Sequence, residues 1–175
     1  MELYTVDVLN SKISFNVRYL LSSKVKGYFT SFNGIVKVPT NNDITDSEIT
    51  FEIDVASITT NESIRDQHLI SADFFHADLY PKIHFKKTHI YQIDDKHAEL
   101  HGELQIKDIK RPVVFHVELI PLQVNQSIML GHAFHCKSMI LRTDYNLVYG
   151  SLLENSSTFI AKEVAIDILI QLQKN

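Results

Sequence analysis

Apolar and polar residues alternate with a period of two along most of this chain, and that pattern leaves few folds open. The clearest run is 98–107, where Ala98, Leu100, Gly102, Leu104 and Ile106 alternate with Glu99, His101, Glu103, Gln105 and Lys107. Successive side chains of a strand point to opposite faces, so such a run is a strand with one buried and one wetted face. The same reading puts Ile13, Phe15 and Val17 on one side of 12–19, and Ile49, Phe51, Ile53 and Val55 on one side of 47–58. From 82–90, Ile83 and Phe85 point inward and His84 and Lys86 outward. Val113, Phe115, Val117 and Leu119 follow, with His116 left in solvent. Residues 24–38, 129–142 and 159–173 complete a set of eight strands, the last with Val164, Ile166, Ile168 and Ile170 inward.

One stretch breaks the pattern. Residues 63–81, SIRDQHLISADFFHADLYP, read as a helix followed by an apolar knuckle, the short helix and lid together spanning about 60–76. Thr60 or Asn61 is placed to cap it, with Glu62 in the first turn at the positive end of the dipole. Phe74 and Phe75 present two rings, and Tyr80-Pro81 ends any helix. Gly27 and Gly34 inside the second strand predict a bulge or bend there. Asp108 to Arg111 reads as a tight turn with Pro112 opening the next strand, and 144–157 as a polar loop with a helical turn near Leu152-Leu153. With polar outer faces and a single helix available as cover, the apolar strand faces must bury one another. A sandwich or a closed barrel does that. The glycines and the capping helix favour an all-β, eight-stranded antiparallel barrel with one short helix as a lid.

The 175 residues suit one domain, 1–175, with a sizeable core. The net charge of -4 and the lack of any basic block exclude a nucleic-acid surface. Cys136 is the single cysteine, so there is no intrachain disulfide. The first residues, MELYTVD, carry neither a basic region nor an apolar run, and no stretch is long enough for a membrane-spanning helix. Cytoplasm is the expected location, or the periplasm or exterior if a leader has been removed.

Four blocks of the chain carry a resemblance. DVLNSKISFNVRYL is similar to an opening Asp-x-x-His-Ser-x-Ile-x-Phe-x-Val-x-His, and VKGYFTSFNG to Gly-x-Phe-x-x-Phe-x-Gly. SIRDQHLISADFFHADLYPKIHF resembles Arg-Asp-x-His-Leu-x-Ser-x-Asp-Phe-Phe…Tyr-Pro-x-Ile-x-Phe nearly residue for residue, and GELQIKDIKRPV resembles Gly-x-Leu-x-Ile-x-Gly-x-x-x-Pro-Val. These are blocks of the YceI-like family, and the resemblance covers essentially the whole chain. Asn10 and Tyr19 stand where that family commonly has histidine, and Asp108 where it usually has glycine. The resemblance implies a lipocalin-like barrel that binds a polyisoprenoid or other long-chain lipid without a cofactor, often as a homodimer. It implies a ligand site lined by Phe15, Val17, Phe29, Phe51, Phe85, Leu104, Phe115, Val117, Phe134 and Ile140, and closed by Phe74 and Phe75. Periodicity alone leaves the alternative open that the same side chains fill the interior themselves.

Other chemistry has thinner footing. His84, His101 and His116 fall on outward faces, and His132 and His135 on opposite faces of one strand, which is poor metal geometry. Arg65, Asp66, His68, Ser71 and Asp73 include the residue types of a hydrolase, with an Asp66–His68–Asp73 cluster acting on an isoprenoid or acyl compound as the alternative function. Mutual hydrogen bonding that fixes the lid is the simpler reading. Arg65 or Arg18 is a candidate partner for an anionic head group, and Arg142 with Asp144 reads as a turn-stabilising pair.

Overall fold

A computed structural model describes residues 1–19, 22–40, 43–121, 132–148 and 160–175. Its strands are β1 (Glu2–Val6), β2 (Lys12–Tyr19), β3 (Ser23–Phe29), β4 (Phe32–Val38), β5 (Glu48–Asp54), β6 (Ile58–Thr59), β7 (Lys82–Gln92), β8 (His97–Ile106), β9 (Ile109–Ile120), β10 (His132–Leu141) and β11 (Ile160–Lys174), with helix α1 (Ser63–Ile70) between β6 and β7. Every pairing is antiparallel. The ring runs β1-β4-β5-β7-β8-β9-β10-β11 and returns to β1, a closed eight-stranded barrel. No helix among the described residues is long and apolar enough to cross a membrane.

Three of the eight staves are broken in two. β11 pairs with β2 over one part of its length and with β1 at its end, so β1 and β2 form one stave interrupted at Val8–Asn10. Likewise β3 and β4 meet at Thr30-Ser31, and β5 and β6 across the turn Val55–Ser57. Backbone bonds stitch these breaks to their neighbours: Asp7 donates to the Gln171 carbonyl (2.8 Å) and Asp54 to that of Ser31 (2.9 Å). A strand wrapping a small barrel must coil strongly, and a break gives that curvature without losing the ladder.

The expected bend at Gly27 and Gly34 is therefore elsewhere, and the glycines do another job. Neither adopts a positive φ. Gly27 lies directly across from Phe15 and Gly34 from Phe51, and a Cβ at either would run into that ring. Gly102 clears space in the same way for Phe85. Each glycine lets a phenylalanine lie against bare backbone.

Three other expectations need correcting. β1 lies outside the eight runs read from the sequence, yet it closes the ring between β4 and β11, burying Tyr4 and Val6. The β8–β9 turn is two residues, Lys107-Asp108, with Ile106 paired to Ile109, and the left-handed residue is Lys107 (φ 57) rather than Asp108. The helix fills only part of 60–76, and Glu62 rather than Thr60 or Asn61 is its cap, accepting from the amides of Ile64 (3.3 Å) and Arg65 (2.7 Å). It ends at Ile70, where Ser71 Oγ donates to the His68 carbonyl and His76 turns left-handed (φ 52). The expected turn at Leu152-Leu153 lies outside the described residues.

Candidate functional site: a half-hollow barrel

The barrel encloses a cavity of about 680 Å³, within the size range of small-molecule sites. Its wall is apolar almost throughout. Phe15 and Val17 face it from β2, Phe29 from β3, Phe51 from β5, Phe85 from β7, Leu104 from β8, Phe115 from β9 and Ile140 from β10. Phe74 and Phe75 face it from the knuckle after α1. The rings make one linked set: Phe15 to Phe29 (5.8 Å between centroids), then Phe29 to Phe75 edge-on (6.4 Å), which fastens the lid to the wall. Phe85 and Phe115 meet edge-on over β8, the strand between theirs (5.5 Å).

Two expected lining residues stand outside the cavity. Val117 and Phe134 pack against the core but do not face the open space. The reason is depth along the barrel, not register, since His116 is exposed as expected. On strand after strand the hollow ends between one inward residue and the next: Phe51 lines it and Ile49 does not, and the same holds for Leu100 against Ala98 and Cys136 against Phe134. Beyond that level Tyr4, Val6, Val36, Ile49, Ile90 and Leu172 are buried against each other. The pocket and the filled core, which periodicity could not separate, are both present, one in each half.

Polar groups gather at the lid end. Thr60, Glu62, Arg65 and His68 reach the cavity from the lid side, and Tyr19 and Arg142 from the side of β2 and β10. Arg18 is exposed, paired across β2–β3 with Lys24, and does not line the cavity. Arg142 is buried at the start of the turn Arg142–Tyr145, and its reach goes beyond that turn. Its guanidinium donates to the carbonyls of Ala161 (3.0 Å), Leu147 (2.7 Å) and Ile160 (3.3 Å), tying the start of β11 to the end of β10. Both residues extend an inward alternation, Tyr19 that of Ile13, Phe15 and Val17, and Arg142 that of Ile140. That signal was available in the sequence.

The lid residues with hydrolase-like side chains are divided between separate tasks. Asp66 accepts from the Thr60 amide (2.7 Å) and hydroxyl (2.5 Å) and from Thr59 (3.2 Å), while Arg65 donates to the Thr60 hydroxyl and carbonyl. His68 Nε2 meets Asp73 (3.0 Å). Burial disfavours the charged form of Asp66, but the Thr60 and Thr59 donors and neighbouring Arg65 outweigh it and hold the carboxyl below its ordinary 3.8. A carboxyl depressed on folding stabilises above its unfolded pKa and stops doing so as pH falls through the folded one. Asp66→Asn should therefore lower the urea midpoint at pH 7, and the gap to wild type should close only in acid below about 3.8. A gap that persists at pH 2.5 would show that the charge of Asp66 is not what holds the lid.

Cys136 lies on the cavity wall with its thiol pushed up to about 12 by burial, so it stays protonated and a poor nucleophile at neutral pH. His84 and His101 sit beside Glu52 and Glu99, and His116 also beside Glu99, all on the outer surface. Among the described residues no three His, Cys, Asp or Glu side chains are arranged to hold a metal ion. The side chain of His132 lies outside the described residues.

The sequence pattern of the YceI-like domain matches residues 4–172. The chain belongs to the YceI-like family. The UPF0312 protein SAS2572 of Staphylococcus aureus (strain MSSA476) is 30% identical over 172 residues, 94% of this chain and 93% of that one. Among solved structures, BcnA of Burkholderia cenocepacia superposes with a TM-score of 0.81 at 23% identity, covering 95% of this chain and 98% of BcnA. A polyisoprenoid binding domain from Saccharophagus degradans, implicated in plant cell wall breakdown, superposes with a TM-score of 0.74 at 15% identity, covering 98% of each chain. At those identities the two structures speak for the fold. The YceI-like barrel places the two residues that replace common family histidines differently. Tyr19 reaches the cavity, whereas Asn10 sits in the turn after β1 and donates to Asp7 (2.8 Å).

Proposed function

We propose that the protein binds a long apolar ligand, of polyisoprenoid or fatty-acyl type, in the hollow half of its barrel and carries or sequesters it. The observation that carries this is an apolar cavity of about 680 Å³ whose charged residues gather at the lid end, while Ser14, a polar residue deeper in its wall, gives its hydroxyl to the Asp167 carbonyl. Each methylene moved from water into such a space gains roughly 0.8 kcal/mol, so a hydrocarbon chain needs no specific contacts to be held. A head group is served by the mouth, where Glu62, Arg65 and His68 offer both charge signs and hydrogen bonds. The name of the Saccharophagus degradans domain is consistent with a prenyl chain as occupant. The site reads as one for binding rather than catalysis, because Asp66 is committed to threonines and the one thiol is held protonated.

Organic extraction and mass spectrometry of protein purified without detergent test the proposal. A prenyl or acyl compound at near-stoichiometric level is the expected result. Protein that yields no such compound, and that fails to retain a fluorescent prenyl or acyl probe after delipidation, would refute it. Ester or prenyl-diphosphate hydrolysis that vanishes in folded His68→Ala would move the assignment to the enzymatic alternative.

A further inference from the structure

The floor of the cavity is a layer of side chains. On β9 it falls between Phe115 and Val117, on β10 between Cys136 and Phe134, and on β11 between Ile170 and Leu172. Cross-strand pairing sets Leu119, Phe134 and Ile170 in one row, so the Phe134 ring stands beside the last lining residue of β11. It is the largest side chain of the layer on these three strands. We infer that this layer is a chain-length stop and that Phe134 sets its position. The inference rests on the binding function proposed above and adds which ligands of that class fit.

The physical argument is short. A chain entering from the lid gains free energy with each buried methylene until its end meets the floor. Past that point close-packed side chains leave no room, since protein interiors hold few voids larger than a water molecule. Further carbons must stay at the mouth beside Glu62, Arg65 and His68, or in water, and contribute little. Affinity should therefore climb with chain length and then level off.

The test uses delipidated full-length protein and a graded series of prenyl alcohols, geraniol, farnesol, geranylgeraniol and solanesol, read by displacement of a fluorescent prenyl probe. Wild-type affinity is expected to rise along the series and then level. Phe134→Ala, which opens the floor, should move the levelling point to a longer alcohol and gain about tenfold for the first member past the wild-type limit. Cys136→Phe, which adds bulk in open space, should move it to a shorter one with a loss of about tenfold. Urea melts establish that each variant is folded. If Phe134→Ala does not fold, Cys136→Phe carries the test by itself. A levelling point that stays put in a folded variant, or wild-type affinity that rises without levelling, overturns the stop and leaves the carrier function standing. Failure of wild type to bind any member overturns the carrier function itself.

Discussion

Val17→Trp should abolish ligand retention while leaving the empty protein as stable as before, or more so. Val17 lies on the cavity wall between Val25 of β3 and Val164 of β11, both lining residues. An indole there projects into open space and takes the volume of about four ligand methylenes, worth roughly 3 kcal/mol or about two orders of magnitude in Kd. Val117→Trp is the informative contrast. Two residues past Phe115, the last lining residue of β9, it stands in the floor layer with no hollow to enter, so it is overpacking and should cost about 1–3 kcal/mol with ligand retention kept. His116→Trp, on the outer face, should stay within about 0.5 kcal/mol. Urea midpoints of delipidated protein and retention of a fluorescent prenyl probe measure both quantities. If Val17→Trp loses stability and keeps the probe, the barrel is not hollow where the geometry places its cavity.

Arg142→Met should be among the most destabilising single changes in the chain, at about 3 kcal/mol or more. The substitution keeps much of the apolar stem but removes the donors that serve the carbonyls of Ala161, Leu147 and Ile160. A buried acceptor left without its donor costs about 1–3 kcal/mol, and three share the loss, with partial relief from water at the mouth. Arg142→Lys should recover only part of it, because a single ammonium cannot reproduce the planar fork. A urea midpoint that moves by less than the equivalent of 1 kcal/mol for Arg142→Met would mean that β10 and β11 are held together at this end by other contacts.

The lid was only partly legible. Its helical start and aromatic knuckle follow from the spacing of Ile64, His68 and Leu69 and from the paired rings of Phe74 and Phe75. Where within the lid the helix stops was not legible, because 71–76 carry no proline or glycine to announce a stop. The chain ends the helix instead through Ser71 Oγ on the His68 carbonyl and a left-handed His76. Local propensity weighs such residues weakly, and a side-chain bond to the backbone outweighed it.

Alternation alone located most of the strands of this protein and the inward face of each, because a two-residue period survives whatever the chain packs against. It assigned Phe15, Phe85 and Phe115 to the interior and His116 to solvent, as found. It carried no information on depth along the barrel axis, since Phe115 and Val117 share a face and a pattern, yet one borders a cavity and the other packs, half-buried, against the filled core. Only tertiary structure decided that, by bringing Leu172 and Val6 from opposite ends of the chain into one pair beyond the floor. Ring closure by β1 was hidden for the same reason. Five residues have little local signal, and what makes them a strand is pairing with 35–38 on one side and 172–174 on the other.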